Sequence, residues 1–447
     1  MVYCRAVTRP EPSAPNFLLR WTIQALVAGS LGALVVRAFF VSVSYLAQLW
    51  ARIGASPLLV AGGAAVIVGT VVYGLAPGAA GEGIPAYLAS VRSHRKNLSL
   101  RDSIHKFPAA VITLGCYGSG GAVGPMGRVV AGLSQWITVG LGRVLPRLFA
   151  DHAQHHAHYH APKTAAVSGM AAAVAAIFGA PVAGAVFAVE VIQTDQLRYH
   201  QLFPAALAAG ISVFVSQILG WEPLVRVAAP PYTVEPALLV PLLVIGILSG
   251  VMGIGYTALY RFVANVMGRD LRRRRVLRLL VGMLGSGLLG LSVSPVLFGT
   301  GDALYAILLT DRLQELSFEA FPALTSPVLL LLALILGKIV GNCLTTGSGM
   351  SAGFTGPAAL AGLAGGAMVA ILLGLAPGSV AYTVLVAAGF SGMIASTMNT
   401  PLAGAILTVE LFGTGYGLPG ALSAMIAFQV ARYSTIYEVA LEKRPIP

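Results

Sequence analysis

Charge is what this chain lacks most. Only 10% of its 447 residues are Asp, Glu, Lys or Arg, and the stretch from Ile339 to Val409 has none. Soluble domains carry about 25% charged residues, so a water-facing globular protein is excluded. Alternating polar and apolar runs are missing too, which excludes a transmembrane β-barrel. Cysteine is scarce: Cys4, Cys116 and Cys343 are odd in number and unrelated in spacing, so neither a disulfide framework nor a cysteine metal cluster is indicated. The glycine-rich segments lack the Lys-Ser/Thr ending of a phosphate-binding loop, and no catalytic triad or paired acids stand out. Neither an enzyme nor a cofactor is expected.

What remains is apolar residue and glycine, 57% hydrophobic with 53 Gly. Uncharged runs recur over Pro57 to Gly81, Thr164 to Val189, Leu202 to Trp221, Pro236 to Tyr260 and Leu279 to Gly301. Each is long enough for a helix to cross about 30 Å of hydrocarbon. Lipid tolerates no open sheet edge, so the expectation is one closed all-α bundle over residues 1–447. The N-terminal apolar run, Trp21 to Val36, has no small-residue cleavage site after it and is expected to stay as a helix.

The formal net charge of +12 does not point to nucleic acid, because the basic residues sit in short segments between apolar spans. Arg5, Arg9 and Arg20 precede the first span. Arg92, Arg95, Lys96, Arg101 and Lys106 fill one linker, and Arg269, Arg272, Arg273, Arg274, Arg275 and Arg278 fill another. The positive-inside rule puts these segments in the cytoplasm. Asp302, Asp311, Glu315 and Glu319, with only Arg312 against them, belong to a loop expected to face outward. The chain ends at Pro447, soon after its last apolar stretch, so a regulatory cytosolic module is not expected.

The chain also repeats itself. Gly179-Ala180-Pro181-Val182-Ala183-Gly184-Ala185-Val186-Phe187-Ala188-Val189-Glu190 returns as Asn399-Thr400-Pro401-Leu402-Ala403-Gly404-Ala405-Ile406-Leu407-Thr408-Val409-Glu410. Ser168-Gly169-Met170 precedes the first copy and Ser391-Gly392-Met393 the second. Farther upstream, each half has a glycine-rich break, Gly118 to Pro125 and Gly347 to Pro357. Repeats with Gly and Pro interrupting apolar segments at matching places mark transporter folds whose site lies between the halves. The first repeat is expected over about 55–195, the second over about 275–415, with C-terminal helices over about 416–442.

Three short segments would bring helix N-termini to mid-membrane: Gly81-Glu82-Gly83-Ile84-Pro85, Gly121-Ala122-Val123-Gly124-Pro125 and Gly353-Phe354-Thr355-Gly356-Pro357. Glycine lets the chain turn, proline starts the helix, and the free amides there suit an anion better than a cation. In this order the three motifs resemble the CLC family of chloride channels and proton/chloride exchangers, whose pattern is Gly-Ser-Gly-Ile-Pro, Gly-x-x-Gly-Pro and Gly-x-Phe-x-Pro. The resemblance runs over nearly the whole chain and includes Ser434-Thr435-Ile436-Tyr437. It implies a CLC-like fold of two inverted repeats with about 17–18 helices, several broken or re-entrant. It also implies a homodimer with one pore per subunit, multi-pass in a bacterial inner membrane, both termini cytoplasmic. Chloride would be the bound substrate, held by amides at Gly81, Glu82 and Gly83, at Ala122, Val123 and Gly124, and at Phe354 and Thr355, and by the Tyr437 hydroxyl.

The sequence departs from that pattern at three places. Where the family has a gating glutamate stands Val123, and where exchangers have an inward proton-handling glutamate stands Val191. Valine neither titrates nor competes with chloride, so proton coupling by the family route is expected to be lost. Glu190 and its repeat partner Glu410 suggest a structural role at helix ends. Where the family has a serine stands Glu82, and a carboxylate there costs at least about 2.5–3.5 kcal/mol before partners are counted. Three readings stay open: a protonated Glu82 that donates to the anion, an ionised Glu82 that serves as a replacement gate, or a Glu82 that turns away to pair with a base or cap the following helix.

Five of the eight histidines, His152, His155, His156, His158 and His160, crowd one loop that could bind a metal, though a solvated loop is the plainer reading. Lys338, inside an apolar run, should face the protein interior or a vestibule. The reading reached is a passive chloride channel. Its rivals are a proton- or ion-coupled transporter using Glu82, and a non-transporting scaffold or metal sensor built on the histidine loop.

Overall fold

The computed structural model describes residues 14–93, 97–146, 161–193, 199–225, 227, 229–233, 235–270, 274–310, 312–313 and 326–438. Arg5, Arg9, Arg95, Lys96, Arg272, Arg273, Asp311, Glu315, Glu319 and the five clustered histidines lie outside them.

The described residues form 17 α-helices with only two isolated β-bridges. In order they are α1 (Ala14–Arg52), α2 (Pro57–Ile67), α3 (Tyr73–Leu75), α4 (Ile84–Arg92), α5 (Leu100–Gly115), α6 (Val123–Val144), α7 (Ala161–Phe178), α8 (Pro181–Glu190) and α9 (Tyr199–Ile218). There follow α10 (Leu239–Asp270), α11 (Arg275–Ser292), α12 (Asp302–Leu309), α13 (Pro327–Ser348), α14 (Thr355–Leu372), α15 (Val380–Met398), α16 (Pro401–Phe412) and α17 (Gly417–Ala431). Among the described residues, nine helical segments are long and apolar enough to cross a membrane.

Proline starts many of these helices. Pro57, Pro181, Pro327 and Pro401 sit in the first turn, where a missing N–H removes no helix bond. Ser99 and Ser379 cap α5 and α15 through their side chains.

Two apolar runs that read as single spans are interrupted. The run from Pro57 passes through a π-helical turn at Val68–Val72 and stops at Leu75, because Ala76 precedes Pro77 and leaves the helical region (φ −137°, ψ 77°). The run from Thr164 divides at Gly179, whose φ of +69° breaks it into α7 and α8. In the second repeat copy, Asn399 takes the same left-handed turn at φ +61° between α15 and α16. Asn is one of the few side chains that visit this region readily, so two different residues meet one backbone demand.

Burial separates an inner set of helices from an outer one. The apolar windows of α7, α14 and α15 are 94%, 83% and 89% buried, against 33% to 44% for α1, α2, α9, α10 and α11, which lie on the outside of the bundle. Inner helices touch backbone to backbone. A Cβ on Gly362 would stand 2.3 Å from the Gly389 carbonyl oxygen, and one on Gly389 would stand 2.2 Å from that of Gly362. Small residues are what let helices approach this closely when lipid supplies no hydrophobic drive between them.

Candidate functional site

The three broken-helix motifs meet at one place. Gly121 and Gly353 exchange two backbone hydrogen bonds, each 2.8 Å, pairing the loop before α6 with the loop before α14. Gly83, ahead of α4, lies so close to Gly124 that a Cβ on it would be 1.9 Å from the Gly124 carbonyl oxygen. A Cβ on Gly121 would be 2.7 Å from the Gly356 amide nitrogen. Glycine is required at these contacts because backbone meets backbone.

The helix heads at this junction keep free donors. The first bond of the α6 ladder runs from the Met126 amide to the Ala122 carbonyl (2.9 Å), so the amides of Val123 and Gly124 precede it, and Pro125 has none. In α14 the corresponding bond runs from Ala358 to Phe354 (3.0 Å), leaving the amides of Thr355 and Gly356 ahead of Pro357. Phe354 is fully buried against Tyr260 and Tyr256, with ring centroids 4.8 and 6.2 Å away. The Tyr437 hydroxyl reaches the Thr355 hydroxyl at 3.4 Å, so tyrosine, threonine and helix head share one spot.

The head of α4 differs. Its first amide, Ile84 N–H, donates to Glu82 Oε2 at 2.6 Å, so the helix is capped by its own preceding carboxylate. This is the capping form of the third reading of Glu82. Yet the side chain does not leave the junction: a Cβ on Gly124 would fall 1.6 Å from Glu82 Oε1. Glu82 is only 5% exposed. A buried carboxylate thus lies between the heads of α4 and α6.

Gly81 stands at φ +69°, and its amide donates to the Gly349 carbonyl (2.9 Å), which also accepts from the Tyr73 hydroxyl (2.8 Å). Lys106, fully buried, donates to the carbonyls of Ala79 (3.0 Å) and Gly81. These bonds tie the first motif to α5 and to the end of α13.

Val123 is 1% exposed and lines a small apolar cavity with Thr355, Phe178, Phe187 and Ala403. Val191 lines a second, more polar vestibule beside Tyr437, together with Arg92, Glu190 and Glu438. Neither position offers a titratable group. Glu190, on the same space, is held by a cap: its two oxygens accept from the amides of Leu402 (2.9 Å) and Ala403 (2.8 Å). Those four atoms make a helix cap.

Sequence reading missed Asn342. Fully buried on α13, it donates to the carbonyls of Ser119 and Gly353, both at 3.1 Å, and accepts from the Tyr256 hydroxyl. It therefore ties together the loops before α6 and α14. The signal was the one amide side chain in the apolar segment Pro327–Ser348. Lys338 is also fully buried, facing inward as its cost in lipid demands, and donates to the carbonyls of Leu297 and Gly299 (both 3.0 Å). Gly299 in turn pairs with Gly118 and Gly120. Among the described residues no group of three or more His, Cys, Asp or Glu side chains could hold a metal.

Known proteins resemble this chain in sequence and in fold. The chain is 27% identical over 449 residues to an H(+)/Cl(−) exchange transporter, ClcA, of Vibrio parahaemolyticus, covering 94% of this chain and 89% of that one. It is 26% identical over 288 residues to a chloride/fluoride channel protein of Pseudomonas syringae pv. tomato, covering 63% of this chain and 60% of that one. The fold superposes on a crystal structure of a CLC-type fluoride/proton antiporter with a TM-score of 0.76 at 21% identity, covering 96% and 99% of the two chains. The sequence pattern described as "Voltage gated chloride channel" matches residues 62–432, and the chain belongs to the CLC family that this pattern defines.

Proposed function

We propose that this protein carries chloride or a similar monovalent anion passively across a bacterial inner membrane, as a homodimer with one pore in each subunit. The anion is held by the amides at Val123, Gly124 and Thr355 and by the Tyr437 hydroxyl, with Gly81, Gly83, Ala122 and Phe354 shaping the loops. Partial charges of this kind bind weakly enough to let an anion leave, which conduction demands. The observation that carries the passive reading is Val123 at the head of α6, buried against an apolar cavity where a titrating gate would stand. Val191, on the vestibule beside Tyr437, supports it from the other side.

A coupled transporter using Glu82 is the second reading, favoured by the carboxylate between the heads of α4 and α6. In either case Glu82 occupies ground that a passing anion needs, and it acts as an occupant that the anion must displace. Anion efflux from proteoliposomes decides between them, with valinomycin to clamp the voltage and external pH recorded. Efflux without proton movement is the expected result. Proton movement in fixed ratio to the anion overturns the passive reading, and absence of any efflux overturns both.

A further inference from the structure

The vestibule beside Tyr437 is lined by an ion pair of this chain's own. Arg92, in the last turn of α4, places Nη1 2.7 Å from Glu438 Oε1, and Glu438 follows Tyr437 directly in sequence. Both side chains line the same space as Tyr437, Glu190 and Val191. The pair is wet, with side chains 32% and 44% exposed, so it is not a buried staple. Its halves are held unequally. Arg92 is anchored a second time, donating from Nε to the Ile192 carbonyl at 2.7 Å, whereas the Glu438 carboxylate is held by Arg92.

Among the described residues that line this space, the remaining charged side chain is Glu190. Glu190 is turned into its cap on α16 by the Leu402 and Ala403 amides. Arg92 is thus the one cation among the described lining residues, and Glu438 pairs with it. An anion that leaves Thr355 and Tyr437 toward this mouth meets a neutralised pair while the contact holds and an anchored guanidinium once Glu438 swings off.

We infer that Arg92 and Glu438 form a charge latch on the vestibule mouth of the anion path, in which Glu438 masks Arg92 and its release presents Arg92 to arriving anions. The latch rests on the anion-passage reading above. It sets affinity from one face only. A pair at this exposure is screened by water and salt, so the effect is several-fold and shrinks as ionic strength rises.

The test is conductance in excised membrane patches whose orientation is known, with chloride varied on one face at a time. Glu438→Gln unmasks Arg92 and is expected to lower the half-saturating chloride on the vestibule face by about two- to five-fold, leaving the opposite face unchanged. Arg92→Gln is expected to raise it on that same face. Shifts of opposite sign, confined to one face, are what a merely structural contact does not produce. Arg92→Gln also removes the bond to Ile192 and can disturb folding, so Glu438→Gln, which keeps that bond, carries the decision. An unchanged or raised half-saturation in Glu438→Gln, with the native chain conducting, overturns the latch alone. A native chain that passes no anion overturns the pathway and the latch with it.

Discussion

Glu190 and Glu410 each close the head of the helix that ends in the other. The amides of Leu402 and Ala403 on α16 point at Glu190, and those of Val182 (3.0 Å) and Ala183 (2.8 Å) on α8 point at Glu410. The two copies of the repeat therefore lie antiparallel, locked by four charge-assisted bonds. Glu190→Ala leaves two mostly buried N–H groups without acceptors and is expected to cost about 1.5–3 kcal/mol of stability. Glu190→Gln, which keeps one acceptor, should cost less. Melting temperature in detergent reads this directly, and a smaller loss for alanine than for glutamine would refute the capping role.

Gly124 and Glu82 make a pair that can be tested by rescue. A methyl group at Gly124→Ala meets the Glu82 carboxylate at 1.6 Å, the far end of a side chain that must turn aside and release the Ile84 amide, so flux is expected to fall and stability to drop modestly. The three nearest atoms to that methyl all belong to Glu82, so Glu82→Ser combined with Gly124→Ala is expected to recover folding. Gly83→Ala meets the Gly124 carbonyl oxygen at 1.9 Å, which is backbone, and no change at Glu82 should rescue it. Yield of monodisperse protein and anion efflux are the two readouts.

Those contrasts also mark what the sequence alone could say. Gly-x-x-Gly-Pro segments are local signals, since proline in a first turn and glycine beside it announce a helix head wherever it goes. The three heads were legible for that reason. The direction of Glu82 was not, because it depends on space left by Gly124 in another loop. Asn342 was invisible for the same cause, its partners Ser119 and Tyr256 being far away in sequence. Nor did hydropathy reveal the division of the run from Thr164, because both sides of Gly179 are equally apolar.

Asn342→Leu removes the donors to Ser119 and Gly353 and the acceptor of the Tyr256 hydroxyl without changing much volume. The expected loss is about 2–4 kcal/mol, because polar groups in a buried network are left unmet. Anion flux should fall further than stability does, since the loops that Asn342 ties are those that carry the α6 and α14 heads. Comparing efflux per folded molecule with the thermal midpoint separates the two effects. Equal and proportionate losses would make Asn342 a stabilising residue only.

Val123→Glu puts a carboxylate at the head of α6, where the first amides of that helix favour negative charge. The ionised group competes there with chloride, and protonation releases it. Flux in the variant is therefore expected to be low at neutral pH and to rise as pH falls through the new carboxyl's pKa, while the native chain shows no such rise from this position. Sequential efflux assays from about pH 7.5 to about pH 4.5, bracketing the carboxylate range, check the sign. Proton movement coupled to chloride should still be absent, because Val191 offers no titratable group at its own position on the vestibule side. Adding Val191→Glu to Val123→Glu is the variant in which coupling is expected to appear. A native-like pH profile in Val123→Glu would mean that the head of α6 lies off the anion path.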